Sequence, residues 1–306
     1  MKNFFLNKLL FTFPTIFGVV TLVFLIIHLI PGDPVEIMLG ETATLTDKAK
    51  LRADLGLDLP ISVQYFRFIT NLVQGDFGMS FHFRQPAFDL IIKRLPATIE
   101  LSLGALVVAL MISVPLGILS AAKQYSFIDQ TSLFVALLGV SMPNFWLGPL
   151  LIIIFSINLG WLPVSGRGDI THLLLPAITL GSSMAAILTR MIRSSLLDIL
   201  KEEYIKTARA KGLPEPIILL KHALRNALLP VVTILGLQFG SLLAGSIITE
   251  TIFSWPGIGR LTIQAIVSRD YPLVQACVMV VALGYVFINL LTDLMYTWID
   301  PRIKYE

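Results

Sequence analysis

The sequence predicts an all-α membrane protein of six transmembrane helices, with a helical extracytoplasmic segment after the first span. Of its 306 residues, 55% are hydrophobic and 14% are charged, where a soluble domain carries about 25% charged residues. The mean hydropathy is +0.80. Six segments, near 9–30, 98–121, 131–157, 173–193, 227–249 and 273–295, stay apolar over the roughly 20 residues a helix needs to cross a bilayer. That apolar surface exceeds what one core can bury, so its solvent is lipid.

The first segment, LLFTFPTIFGVVTLVFLIIHLI, follows Lys2 and Lys8. It is longer than the roughly 7–15 apolar residues of a secretory signal and no small-residue cleavage site follows closely, so it reads as a retained anchor. PGDP at 31–34 reads as a turn at the membrane exit. TDKAKLRADLGL at 46–57 reads as a short helix closed by Gly56. In ISVQYFRFITNLVQGDFG at 61–78, Tyr65, Phe66, Ile69, Leu72 and Val73 recur at helical spacing before a Gly75–Asp76 stop. A third helical patch, 86–95, leads into the second span through Pro96. These helices lie over the outer mouth in this reading, either as a cap on the first span or as a docking surface for a soluble partner.

The third span is the cleanest, with no Asp, Glu, Lys or Arg between Asp129 and Arg167. Pro115, Pro143 and Pro176 are expected to kink or interrupt their helices. Gly181 with Ala185, and Gly236 with Gly240 and Ala244, form small-residue rows that permit close backbone approach. Such rows serve either packing within one chain or pairing with a second membrane subunit.

Orientation follows from the placement of Lys and Arg. With a cytoplasmic N-terminus, the inside segments hold Lys2, Lys8, Lys123, Arg302, Lys304 and a central loop with Arg190, Arg193, Lys201, Lys206, Arg209, Lys211, Lys221 and Arg225. The short outside loops, 158–172 and 250–272, hold only Arg167, Arg260 and Arg269. The long 31–97 segment carries seven Lys/Arg, but long segments weigh little in this rule. Both termini are therefore expected in the cytoplasm.

Several function classes fall away. A net charge of +3 without a basic face does not fit nucleic-acid binding. The single cysteine, Cys277, excludes an intramolecular disulfide or a cysteine metal cluster, and its apolar surroundings suit an inert buried thiol. No HExxH motif, Ser–Lys arrangement or acid–base pair occupies the spans, so no catalytic or metal residue is assigned. His28, Glu100, Glu250 and Asp293 fall near predicted span ends, within reach of interfacial water. Asn144, Gln238 and Asn289 are the deepest polar side chains and read more readily as interhelical hydrogen bonds than as substrate ligands. A secondary carrier working without ATPase subunits is expected to keep ionisable groups inside the bilayer, and they are scarce here. The GxxxxGK[ST] phosphate loop is also missing, so ATP is not bound by that route.

Between the fourth and fifth spans lies a polar island, EEYIKTARAKGLPEPIILLKHALRNALLP, at 202–230. Glu202 and Glu203 favour a helix start, and Lys206, Arg209 and Lys211 sit towards its end, the order the helix dipole prefers. Tyr204, Ile205 and Ala208 form a small apolar face. Gly212 permits a left-handed C-terminal turn, and Pro214 with Pro216 prevents simple continuation. A charge run beside a membrane can be only a topology signal. The Ala/Gly pattern and the Gly-Pro joint support instead a helix packed into a partner's groove.

YIKTARAKG followed by KHALRNALLP resembles the cytoplasmic EAA loop of ABC-importer permeases of the dipeptide/oligopeptide/nickel subgroup. The resemblance continues through IPGDP at 30–34, GDFGMSF at 75–81, VSMPNFWLG at 140–148, GWLPVSG at 160–166, LLPAITLG at 174–181, ETIFSWPGIGRL at 250–261, RDYPLVQA at 269–276 and DPRI at 300–303. Lys206-Thr207-Ala208 stands where the broader pattern has Glu-Ala-Ala, a departure common in that subgroup.

The resemblance implies a type I ABC importer fold, with an anchor and extracytoplasmic segment over 1–94, a core over 95–296 containing a coupling loop at 201–226, and a cytoplasmic tail at 297–306. It implies a multi-pass subunit of a bacterial inner or plasma membrane, surrounded by lipid and paired with a second, homologous permease subunit as a heterodimer. Two cytoplasmic ATPase subunits would bind ATP and magnesium, and this chain no cofactor; an extracytoplasmic substrate-binding protein would deliver cargo. Glu203, Tyr204, Lys206, Thr207, Ala208, Arg209, Ala210, Gly212, His222 and Arg225 would form the ATPase-coupling loop. Within it, Tyr204, Ala208, Ala210 and Gly212 would fit the ATPase groove. Trp255, Pro256 and Gly257 would form a partly re-entrant gate or a binding-protein contact, an interfacial aromatic anchor being the plainer reading. Di- or oligopeptides are the cargo it implies first, then nickel chelates or glutathione.

Overall fold

Among the described residues every regular element is helical, and the one strand-like feature is an isolated antiparallel bridge between Met79 and Pro86. The computed structural model describes residues 2–29, 35, 39, 44–54 and 56–299, with side chains except at 2–9, 11, 26–29, 51, 54, 243–245 and 293–299. The expected turn at 31–34, the tail from 300 with Arg302 and Lys304, and the side chains of Lys2, Lys8, His28, Ala244 and Asp293 lie outside the described residues.

The helices are α1 (Lys2–Leu29), α2 (Leu45–Asp54), α3 (Ile61–Val73), α4 (Ala87–Ala122), α5 (Phe127–Ser141), α6 (Asn144–Asn158, its second half wound in wider π turns) and α7 (Ile170–Ile199). There follow α8 (Glu203–Ala210), α9 (Glu215–Ala227, with π turns at its centre), α10 (Leu229–Gly245), α11 (Ile247–Ile252), α12 (Ile258–Val267) and α13 (Tyr271–Ile299). Three of them, α4, α7 and α13, are long and apolar enough to cross a membrane. Two more spans arise if each bent pair counts as one: α5 with α6, bent by 101°, and α9 with α10, bent by 52°. The first predicted span falls on α1, where Thr12–Leu25 is a shorter apolar helix among the described residues, so the described helices give three to five spans where six are expected.

Helix α4 illustrates how the sequence sorts its faces. Leu101, Ala105 and Ala109 are fully buried, whereas Leu103, Val107 and Met111 are 48%, 53% and 72% exposed. Each set recurs every four residues, so one stripe packs inward and the other, equally apolar, faces out. A helix apolar on both faces suits a buried or membrane-spanning position.

By internal contacts the chain divides into two compact units, residues 1–96 with 257–286 and residues 97–256 with 287–306. In the first, α3 lies on α1. Phe24 meets the rings of Tyr65 and Phe68 at 5.1 and 5.6 Å, and the Thr21 hydroxyl reaches the Tyr65 hydroxyl at 2.5 Å. The packed stripe is Tyr65, Phe68, Ile69 and Leu72. Phe66 and Val73, expected on that stripe, are 69% and 81% exposed, because Phe68 takes the inward position. A second core gathers Ile91, Ile258, Leu261, Leu273 and Cys277, so the lone thiol is buried. Asp270 starts α13, accepting a hydrogen bond from the Leu273 N–H at 3.3 Å. The same carboxylate accepts from the Ser80 hydroxyl at 2.5 Å and the His82 N–H at 3.1 Å, pinning the 80–82 turn. The 86–95 patch forms no separate helix; it is the first part of α4, which runs unbroken through Pro96.

In the second unit, Leu188, Ile192 and Leu196 of α7 form a core with Ile205, Ile218, Ala223, Ala227 and Val231. Of the three prolines expected to disturb helices, Pro143 separates α5 from α6, whereas Pro115 and Pro176 sit within unbroken helices. The third span is therefore two helices rather than one. Gly181 and Gly236, one from each small-residue row, pack within the chain. A Cβ on Gly181 would lie 2.6 Å from the Ala105 carbonyl oxygen, and one on Gly236 would lie 2.1 Å from Thr292. Gly181→Val is accordingly expected to destabilise the protein by about 1–3 kcal/mol through overpacking. Gly18→Ala, with nothing within 4 Å of the added carbon, should leave the thermal midpoint of the purified protein unchanged or raised.

Candidate functional site

The polar island folds into α8 and α9, joined at Gly212. Glu202 enters α8 in extended backbone without a side-chain cap, and Glu203 occupies the first turn. Lys206 Nζ meets Glu203 Oε1 at 2.7 Å, and the Thr207 hydroxyl donates to the Glu203 carbonyl at 3.0 Å. The helix has two unlike faces. Ile205 is fully buried and Ala208 is 7% exposed, both packed with the end of α7 and with α9. Glu203, Lys206, Thr207 and Ala210, spaced at three and four residues, form an exposed stripe. Ala208 thus differs from the expectation that it enters a partner's groove: the period that sets Ala210 outward turns Ala208 into the core.

The C-terminus of α8 is a Schellman closure. The Leu213 N–H bonds to the Ala208 carbonyl at 3.3 Å and the Gly212 N–H to the Arg209 carbonyl at 2.9 Å. Gly212 has φ +78°, where an L-residue is strained, and nothing lies within 4 Å of a Cβ built there. Leu213 packs on the core beneath. Across the joint Arg209 Nε meets Glu215 Oε1 at 2.7 Å, and that carboxylate pushes the guanidinium pKa further above its ordinary value. Asn226 Nδ2 donates to the Tyr204 hydroxyl at 2.8 Å, stapling α8 to the far end of α9. Tyr204 is 40% exposed, so part of its ring remains outward. Arg225 is exposed and His222 half-buried on α9.

Sequence reasoning missed the clamp behind this element. Asp129 of α5 receives both arms of Arg193 from α7, Nε to Oδ1 at 2.8 Å and Nη2 to Oδ2 at 2.7 Å. The Ser120 hydroxyl of α4 and the Tyr125 N–H, the latter at 2.9 Å, donate to the same carboxylate. The side chains are 4% and 20% exposed. One carboxylate thereby ties three helices a few residues before α7 leads into α8. The two partners stand 64 positions apart, and no short-range pattern links them. Glu215 and Asn226, which brace α8, were likewise outside the expected set.

Around 250–257 the structure revises the expectation. Trp255 is fully buried and its indole N–H donates to the Ala97 carbonyl at 2.7 Å. It neither anchors at an interface nor offers a surface to a binding protein, because its one polar atom is satisfied inside. Pro256 is half-buried and Gly257 buried. Glu250, expected near interfacial water, is also fully buried, accepting from the Thr98 and Ser246 hydroxyls, each at 2.9 Å. Asn144 and Gln238 make no side-chain hydrogen bond among the described residues, and the Asn289 Oδ1 is buried without a partner there, unlike the interhelical bonds expected.

Long apolar helices carrying a braced polar helix pair define the architecture of a polytopic membrane protein. The sequence matches the family described as "Binding-protein-dependent transport system inner membrane component" over residues 113–305, and its N-terminal counterpart over residues 1–103. The chain belongs to this family. It is 44% identical over all 306 residues, and over the full length of each relative, to proteins named "Glutathione transport system permease protein GsiC" from Salmonella paratyphi A, Escherichia coli and Pectobacterium atrosepticum. Solved structures share the fold. The MetNI methionine ABC transporter in an inward-facing conformation matches with TM-score 0.55 and 18% identity over 69% of this chain and 96% of that one. An amino acid ABC transporter matches with TM-score 0.51 and 17% identity, over 70% and 94% respectively. The chain is thus a membrane-embedded permease subunit of an ABC importer with the type I fold. It carries no cofactor itself, and it works with a separate ATPase and a substrate-binding protein.

Two stability outcomes follow. Asp129→Ala strands Arg193 and should cost on the order of 2–4 kcal/mol, the low end because part of the arginine stays exposed; recovery of that loss when it is combined with Arg193→Leu is the check, read as thermal midpoints in a double-mutant cycle. Trp255→Ala should cost about 3–5 kcal/mol through the cavity it leaves. Binding-protein affinity of the folded Trp255→Ala transporter should stay within about twofold of wild type, since a buried ring makes no contact at the surface.

Proposed function

We propose that this chain is one of two different permease subunits of a bacterial inner-membrane importer for short peptides, with the tripeptide glutathione as cargo. The observation that carries the coupling half of this reading is α8, a two-turn helix locked by Ile205 and the Schellman closure, with an exposed stripe in which Lys206 and Thr207 bond only to Glu203 of the same stripe. Full-length 44% identity to permeases named for glutathione supports the cargo. Peptides more broadly are the second reading, since glutathione is itself a tripeptide.

In this reading residues 1–94 form the anchor and extracytoplasmic segment, 95–296 the core and 297–306 a tail. Both termini and the 201–226 loop face the cytoplasm, lipid surrounds the spans, and two ATPase subunits dock on the importer. Glu203, Tyr204, Lys206, Thr207, Ala210 and Gly212 make the outward contacts, with His222 and Arg225 at the rim. Ala208 and Arg209 act from inside and across the joint. A docked helix transmits displacement only if it moves as one body with the spans and if its partner holds it differently in two states. The Ile205 anchorage and the Asp129–Arg193 clamp supply the first condition; ATP-driven closure of the ATPases supplies the second. Trp255, with Pro256 and Gly257, supports the outer gate from within.

Gly212→Glu should leave the protein in the membrane yet abolish uptake and uncouple ATP hydrolysis, whereas Gly212→Ala, strained but uncharged, should retain partial transport. Normal uptake by Gly212→Glu would sink the docking reading. For cargo, proteoliposomes holding both permease subunits, the ATPases and the binding protein should accumulate labelled glutathione in an ATP-dependent way. Accumulation of dipeptides with none of glutathione would move the cargo to the broader peptide class.

A further inference from the structure

Beside the coupling helix, in the second compact unit, lies a cavity of about 850 Å³. The end of α4 and the turn after it supply Ala121, Lys123 and Ser126; the end of α7 and the turn after it supply Leu197, Leu200 and Lys201; Arg209 and Glu215 close it. The floor is apolar and the rim is basic. Lys123 has no ion pair among the described residues, and Lys201 reaches only Asp198, at a loose 3.7 Å between well-exposed groups. Arg209 is occupied by Glu215 at 2.7 Å. Two cations thus stand at the mouth available to an anion.

The wall of this cavity is a peculiar turn. Tyr125 holds φ 62°, a left-handed conformation unusual for a bulky side chain. Its N–H is fixed by Asp129, the carboxylate clamped by Arg193. The result turns large apolar groups outward: Tyr125 is 83%, Phe127 81% and Ile128 45% exposed. Exposed aromatics next to lysine, at the point where an apolar span ends, suit the level where lipid headgroups meet hydrocarbon. The cytoplasmic leaflet is the anionic one, and basic pockets between helices at that surface fit phospholipid headgroups.

We propose that this cavity binds one anionic phospholipid, its phosphodiester between Lys123 and Lys201 and its glycerol and upper acyl chains along Ala121, Leu197 and Leu200, with Tyr125 and Phe127 embedded beside it. The site lies against the coupling helix, so the bound lipid braces the base of the element that the ATPase moves. This inference rests on the cytoplasmic orientation proposed above.

The test uses the assembled transporter, both permease subunits with their ATPases, in nanodiscs of phosphatidylglycerol mixed with phosphatidylcholine. Native mass spectrometry after gentle extraction counts the retained lipids. Wild type should retain phosphatidylglycerol, K123Q/K201Q should lose it at least fivefold, and K123R/K201R should keep it, with phosphatidylcholine unchanged throughout. Equal phosphatidylglycerol retention by wild type and K123Q/K201Q overturns the site. Displacement of the retained lipid by millimolar glycerol phosphate would overturn it in favour of a soluble anion. Retention that vanishes on ATPase assembly would show that protein fills the cavity instead. Labelling of K206C from each side separates the two layers of the reading: modification only from outside refutes the orientation, whereas modification from the cytoplasm with equal lipid retention refutes the lipid site alone.

Discussion

The structure depends on one constraint: its apolar spans have no water to satisfy a stray polar group. Every backbone N–H and C=O inside the hydrocarbon must find a partner within the chain, which leaves helices as the available element. The same constraint is met at two buried carboxylates. Glu250 is ringed by hydroxyls from Thr98 and Ser246, and Asp129 is closed by Arg193, Ser120 and the Tyr125 N–H. Burial of a charge is tolerated where its partners come from several helices at once, and that requirement joins those helices.

Under the coupling role proposed for α8, the Asp129 clamp places this joining at the base of that helix. A coupling helix resting on a flexible base would yield to its partner without moving the spans. Here α8 is packed through Ile205 onto the core at the end of α7, and Arg193 of the same helix ties α7 to α4 and α5. The outward stripe of α8 is polar and small, while the inward stripe is apolar. A helix of two turns would be marginal alone in water; tertiary packing and the Schellman closure at Gly212 hold it.

Much of the architecture was legible in the sequence. The long apolar runs located α4, α7 and α13, and the Glu-first, basic-last charge order with Gly212 bounded α8 closely. Local chemistry sufficed for these because helix periodicity and end signals act over a few residues. The break at Pro143 was expected in kind, yet a bend of 101° was not, since the direction a chain takes after a proline is chosen by what it then packs against. Pro96, Pro115 and Pro176 left their helices unbroken. Trp255 was misread for a related cause: an aromatic residue near a span end suits an interface equally well as a core, and only the Ala97 carbonyl decides between them.

The sequence by itself determined that this chain is a helical membrane protein with a polar helical segment between two apolar spans, because hydropathy, charge placement and turn residues are properties of short stretches. Tertiary structure alone decided which face of α8 is free, which sent Ala208 inward, and which distant charges would meet. Asp129 and Arg193 are ordinary span-end residues until α5 and α7 come together. Their pairing is a matter of three-dimensional proximity, and no local pattern carries it.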